Sequence, residues 1–189
     1  MSGKTLLAVL AGAILMYVWA SAAHLSPLGQ VGFSQFKDDS VLPAIKAAAG
    51  DKAGLYFFPK VDMTSKDAMK QAEASMKVNP GGLMVYHPAG SGSGMSVRQL
   101  VGEFALELVE TFLAVWLLMR TSIGGFVGRV GFIVGVGVVA AMATNMSYWL
   151  WYEFPSSFTI AAMIVEIGKF LFAGIGVALV LGWGRKAEA

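Results

Sequence analysis

The sequence predicts an all-α membrane protein with four transmembrane helices and a small extracytoplasmic α/β insert between helices 1 and 2. Three observations predict it. The 189 residues are 56% hydrophobic and only 14% charged, an apolar excess that suits a bilayer rather than water. The hydropathy, +0.64 on average, is concentrated in four runs, each near the ~20 residues that a bilayer requires. A stretch of interspersed charge over residues 26–95 separates the first run from the other three.

The first run covers residues 5–25. Ala20-Ser21-Ala22 has the small-x-small form of a signal-peptide cleavage site. The apolar run, however, is about 20 residues, longer than the ~7–15 of a signal core, so a retained anchor over residues 1–25 is the expectation.

Residues 26–95 read as a folded module. They hold seven Lys and six acidic residues with apolar runs between them. Asp39 or Ser40 opens a short helix, Pro43 falls in its tolerant first turn, and Gly50 closes it. Leu55-Tyr56-Phe57-Phe58 is a β-rich run ended by Pro59. Thr64 opens a helix reaching about residue 78, with Asp67 three residues on, and Asn79-Pro80-Gly81-Gly82 stops it. Residues 83–87 form a second strand before Pro88. The order helix, strand, helix, strand predicts a parallel pair joined by a crossover helix. Two strands and two helices in so short a stretch make a thin core, so the module is expected to lean on the membrane helices, a second copy or a partner. The Gly- and Ser-rich residues 89–94 form a hinge back to the membrane.

Three spans follow over 97–119, 126–148 and 158–183, making residues 96–189 a three-helix bundle. Ser96 and Gln99 have capping-box spacing, and Ser156 or Ser157 opens the last helix after Pro155. Trp149, Trp151 and Tyr152 crowd the turn before it, where amphipathic rings favour the headgroup layer. Arg120 and Arg129 bracket the other short turn, and Arg185 and Lys186 follow the last span. The positive-inside rule puts both termini in the cytoplasm of a bacterial inner membrane and residues 26–95 in the periplasm. Gly124, Gly128, Gly131 and Gly135 recur at small-residue spacing, which lets helix backbones approach closely, so the third span is the expected packing centre.

Glu103, Glu107 and Glu110 fall inside the second span. At ~100° per residue they lie within roughly 60° of one another, and Gln99 extends the stripe. Glu166 and Lys169 sit one turn apart on the last span. Each ionisable group in hydrocarbon costs ~2.5–3.5 kcal/mol or more, so such groups mark pathways, sites or buried interfaces. Counted from the outer surface at ~1.5 Å per residue, Lys169 is level with Glu107, which predicts a Lys169–Glu107 or Lys169–Glu110 pair. Four glutamates against one lysine leave three negative charges to be met by protons, water, a cation or a partner. A bundle interior or subunit interface, with glutamates hydrogen-bonding across helices, accounts for the same residues without translocation.

Other chemistry is poorly supported. Cys is absent, which removes disulfides, thiolate metal sites and cysteine nucleophiles. A net charge of +2 with no basic cluster argues against nucleic acid. No Glu-x-x-His pair of the di-metal bundle type occurs. His24, His87 and Met95, with Met63, Met69, Met76 and Met84, offer soft ligands for Cu(I), although Met69 and Met76 equally form the apolar face of one helix. Gly90-Ser91-Gly92-Ser93-Gly94 lacks the ending of a phosphate loop. Asn145-Met146-Ser147 is a glycosylation triplet placed inside a span. The expectation is therefore a non-catalytic accessory or interaction subunit of a membrane complex, with no cofactor, in contact with membrane lipid and with a protein partner or a second copy. The alternatives are a proton- or cation-coupled transporter or channel using the carboxylates, and a periplasmic copper-handling protein.

Overall fold

A computed structural model describes residues 2–62, 64–92 and 94–183. The chain is mostly helical with one two-stranded sheet. The helices are α1 (Gly3–Leu25), α2 (Leu42–Ala49), α3 (Ala68–Met76), α4 (Val97–Leu118), α5 (Phe126–Ala141), α6 (Ser147–Tyr152) and α7 (Ser156–Gly182), and the strands are β1 (Gly54–Phe58) and β2 (Gly82–Tyr86). A π-helical turn, Met142–Met146, joins α5 to α6 so that Phe126–Tyr152 runs as one rod. Two compact units result, residues 1–33 with 95–189, and residues 34–94.

In the first unit, three helices are long and apolar enough to cross a membrane: Gly3–Leu25, Phe126–Tyr152 and Ser156–Gly182. The chain is thus compatible with a multi-pass membrane protein. α4 is nearly as long as α1, but Arg98 and the three glutamates keep it from qualifying on length and composition alone. The capping box forms at its start, where Ser96 Oγ accepts from the Gln99 amide and the Gln99 side chain accepts from the Ser96 amide. Ser156 begins α7 without a capping bond; its Oγ instead accepts from the Trp149 indole. Trp149, Trp151 and Tyr152 lie in the last helical turns rather than beyond them, and the helix ends at Glu153, in left-handed conformation at φ 53°. Arg185 and Lys186 lie outside the described residues.

The packing centre is α7, not the Gly-rich α5. α7 runs against α1 on one side and α5 on the other, while α4 leans mainly on α1. The reason is where the small residues point. A Cβ on Gly176 would lie 2.8 Å from the Ala11 carbonyl oxygen, and one on Gly12 would lie 3.1 Å from the Ala173 carbonyl oxygen, so α1 and α7 touch backbone to backbone. Gly168 receives the face of Trp19, which stacks on Phe172 and donates to the Val165 carbonyl at 3.0 Å. On α5 only Gly137 faces a partner helix closely, beneath Phe170; Gly131 and Gly135, like Gly124 before the helix, meet nothing within 4 Å, and Gly128 meets only its neighbour Ile123. Met16, Val115, Ile133, Phe170 and Val177 fill the core between the helices.

In the second unit, Asp38 rather than Asp39 or Ser40 opens the first helical segment by accepting from the Ser40 amide. Gly50, at φ 70°, closes α2 in a conformation that a β-carbon would strain. The strands pair antiparallel, Gly54 opposite Tyr86 and Phe58 opposite Gly82, correcting the expected parallel pair. Residues 59–81 return the chain to the end of the sheet that it left, so Gly82 starts β2 opposite Phe58. α3 also starts later than Thr64, because local side-chain bonds hold the preceding turns: Asp62 accepts from the Thr64 amide and hydroxyl, and Ser65 Oγ accepts from the Asp67 amide. Tyr56 and Tyr86 meet edge to face under the sheet and donate to Lys52 and Gly50 carbonyls. Ala68 and Tyr86 are its buried apolar residues among those described, so the core is thin. Residues 26–33, read above as the start of this module, belong to the first unit; Phe33 packs edge to face on Phe158.

Candidate functional site

The helical period carries Glu103, Glu107 and Glu110 along one face of α4, and α7 delivers Glu166 and Lys169 opposite them. The Lys169 Nζ lies 3.4 Å from Glu110, 3.7 Å from Glu166, and 3.8 Å from each of Glu103 and Glu107. All four distances exceed the ~2.7–2.9 Å of a direct charge-assisted hydrogen bond. The ammonium therefore sits among the carboxylates rather than on any one of them. The predicted Lys169–Glu107 and Lys169–Glu110 proximities both occur, and Glu103 and Glu166 join them.

Burial grades the cage. Glu107 is fully buried and Lys169 nearly so, Glu110 and Glu166 are each a quarter exposed, and Glu103 is 43% exposed. Among the described residues neither Glu107 oxygen, nor Glu110 Oε2, finds a hydrogen-bond donor. A buried polar oxygen left in that state costs ~1–3 kcal/mol, more when charged, and points to a ligand, proton or water as its complement. Four carboxyl groups around one ammonium differ by three formal charges, a difference that protons, water, a cation or a partner can meet.

Beside the cage lies a cavity of about 500 Å³. Glu103, Glu110, Glu166 and Lys169 line one part of it, and the rim carries His24, Val31 and Phe33 from the end of α1 and the segment after it. The cavity exists because α4 follows α1 and touches α7 at few points, leaving a gap that Lys169 bridges. Thr144 and Asn145 reach its wall from the π-helical turn, a widened turn of the sort found in helices at functional sites. Asn145 also donates to the Ala141 carbonyl within that turn.

Of the other sequence-predicted residues, Gln99 does not join the cage, since its side chain is committed to capping α4. His24 reaches the cavity rim. His87 follows β2 in the second unit and Met95 is three-quarters exposed; Met63 and Ser93 lie outside the described residues. Among the described residues no three His, Asp or Glu side chains are disposed to hold a metal ion. The sequence reading missed the lining roles of Phe33, Phe158, Thr144 and Asn145. Asn145 carried a signal, being an amide within an otherwise apolar span. No protein-family model, curated protein or solved structure matches the chain.

Proposed function

We propose that this is a four-span inner-membrane protein whose Glu–Lys cage accepts protons or cations from the outer side and passes them through the bundle. α4 serves as the fourth span, its charged face turned inward to α1, α7 and the cavity, and its Val109, Leu113 and Trp116 facing lipid. The basic residues at the chain ends and the 120–129 turn put residues 26–33, and with them the cavity mouth, on the outer side. Residues 34–94 are exported with them. α1 is held as a permanent span because its buried face, including Ala8, Gly12 and Met16, forms part of the core.

One observation carries the reading: a fully buried glutamate with neither oxygen hydrogen-bonded among the described residues, 3.8 Å from a buried ammonium that lines the cavity. A helix–helix fastening would have its partners hydrogen-bonded, whereas a site that exchanges its occupant leaves them open. The test is flux in proteoliposomes. Wild-type protein should dissipate an imposed pH or potassium gradient, read by an entrapped dye, and Glu107→Gln should abolish it. No flux from wild type removes the reading.

A second reading, an accessory subunit of a membrane complex, is favoured by a different observation. Leu55 and Val85 stand exposed on one face of the sheet above a thin core, and Gly131 and Gly135 offer α5 a close-approach surface unused within the chain. Co-purification of a stoichiometric partner in mild detergent supports this reading, and a lone monodisperse monomer opposes it.

A further inference from the structure

The cavity is larger than a bare ion needs and is built of two kinds of wall. A dehydrated Ca2+ or Mg2+ takes about six or more oxygens at roughly 2.0–2.6 Å, and no three acidic or His side chains among those described are disposed to supply them. The carboxylates are instead spread 3.4–3.8 Å around an ammonium, so their spacing already suits a nitrogen cation. The rest of the lining is largely apolar and aromatic: Leu28, Val31 and Phe33, with Phe158, Ala161 and Ala162 preceding Glu166 on α7. Phe33 and Phe158, both in that lining, meet edge to face at 5.3 Å, and an aromatic face attracts a nearby cation. A volume of about 500 Å³ falls within the ~300–1,000 Å³ range of small-molecule sites.

We infer that the cavity binds an organic ammonium ion, its apolar body on the Phe33–Phe158 wall and its charged nitrogen among Glu103, Glu110 and Glu166. The inference rests on the reading that the cage accepts cations, and adds the class of cation. Acidic residues alone would not carry it. The independent support is Glu107, wholly buried behind Lys169, with neither oxygen hydrogen-bonded among the described residues and Oε1 3.8 Å from the ammonium. Lys169 thus acts as a tethered, partial counter-ion that a second ammonium complements.

The test uses the full-length protein in lipid nanodiscs and isothermal titration with three probes. Benzyltrimethylammonium carries both the charge and the body, tetramethylammonium only the charge, and benzyl alcohol only the body. Saturable one-to-one binding of benzyltrimethylammonium is expected, with each comparator at least roughly tenfold weaker, the effect of one well-placed contact. Glu110→Gln, at a partly exposed position that tolerates an amide, should weaken benzyltrimethylammonium by roughly tenfold or more, as loss of a close charge partner does. Equal binding of benzyl alcohol overturns the inference, because charge is then irrelevant. Equal binding of tetramethylammonium overturns it too, because the apolar wall is then unused. If no ammonium binds but proteoliposomes still lose a pH gradient through Glu107, the inference falls and the proton or cation reading stands. If ammonium binds with the stated preferences and no flux occurs, the site stands and translocation falls.

Discussion

Replacing Lys169 with Met should destabilise the bundle more than any single glutamate replacement in the cage. The pair that matters most is Lys169–Glu107, since both groups are buried and separated by 3.8 Å. At an effective dielectric near 20, Coulomb attraction at that distance is roughly 4 kcal/mol. The pairs to Glu103, Glu110 and Glu166 add less than their distances suggest, because partial exposure screens them. Removing one partner of a buried pair leaves an uncompensated charge and costs ~3–5 kcal/mol. Glu107→Gln leaves Lys169 with three carboxylates and should cost much less. The double variant should recover part of the Lys169→Met loss, since the two sites are in contact and their effects do not add. Acidification should narrow the gap between Lys169→Met and wild type, because protons then neutralise the orphaned carboxylates. Unfolding in mixed detergent–SDS micelles, followed by the fluorescence of the five tryptophans, measures all of these. A Lys169→Met variant as stable as wild type at neutral pH, or a double variant no better than the single, would refute the cage as a coupled unit.

Further outcomes follow from the packing and from the second unit. Gly176→Ala places a Cβ 2.8–3.0 Å from the Ala11 and Gly12 backbone, which only separation of α1 and α7 can relieve, so a loss of ~1–3 kcal/mol is expected. Gly135→Ala meets open space within the chain and should be neutral or stabilising by up to ~1 kcal/mol; thermal unfolding of the two variants compares them directly. Hydrogen bonds from the Thr64 hydroxyl and amide hold the Asp62 carboxyl below its ordinary value of 3.8, as a bonded carboxylate requires. The stability that this turn contributes is complete above pH 3.8 and is lost as pH falls through the lower folded value. A carboxyl NMR titration should show an Asp62 midpoint below 3.8 that rises in Thr64→Val.

What the sequence revealed divides along a physical line. Features set by period and local bonding were legible: the helices over the apolar runs, the Ser96–Gln99 capping box, the Gly50 stop, and the alignment of Glu103, Glu107 and Glu110 with Lys169. Features set by which faces meet were not. Glycine spacing marks α5 as able to pack closely, but the glycines that bring helix backbones together are Gly12 on α1 and Gly174 and Gly176 on α7, while Gly168 makes room for the Trp19 ring. The alternation that locates β1 and β2 is silent on direction, and the connection over residues 59–81 is long enough for either pairing. Gln99 lies on the carboxylate stripe by angle yet faces its own helix terminus, because an unsatisfied amide there competes for it. The cavity itself arises from the weak α4–α7 contact, a property of three helices together that no single segment encodes.

The most direct test of the central claim is the reactivity of one introduced thiol in intact cells. The chain has no Cys, so Ala162→Cys, on the cavity wall beside Glu166, is a single reporter. A negatively charged cavity open to the outside predicts labelling by membrane-impermeant methanethiosulfonates, faster with the cationic ethylammonium reagent than with the anionic ethylsulfonate, and the preference should shrink in Glu110→Gln. No labelling from outside, or equal rates for the two reagents, would contradict it.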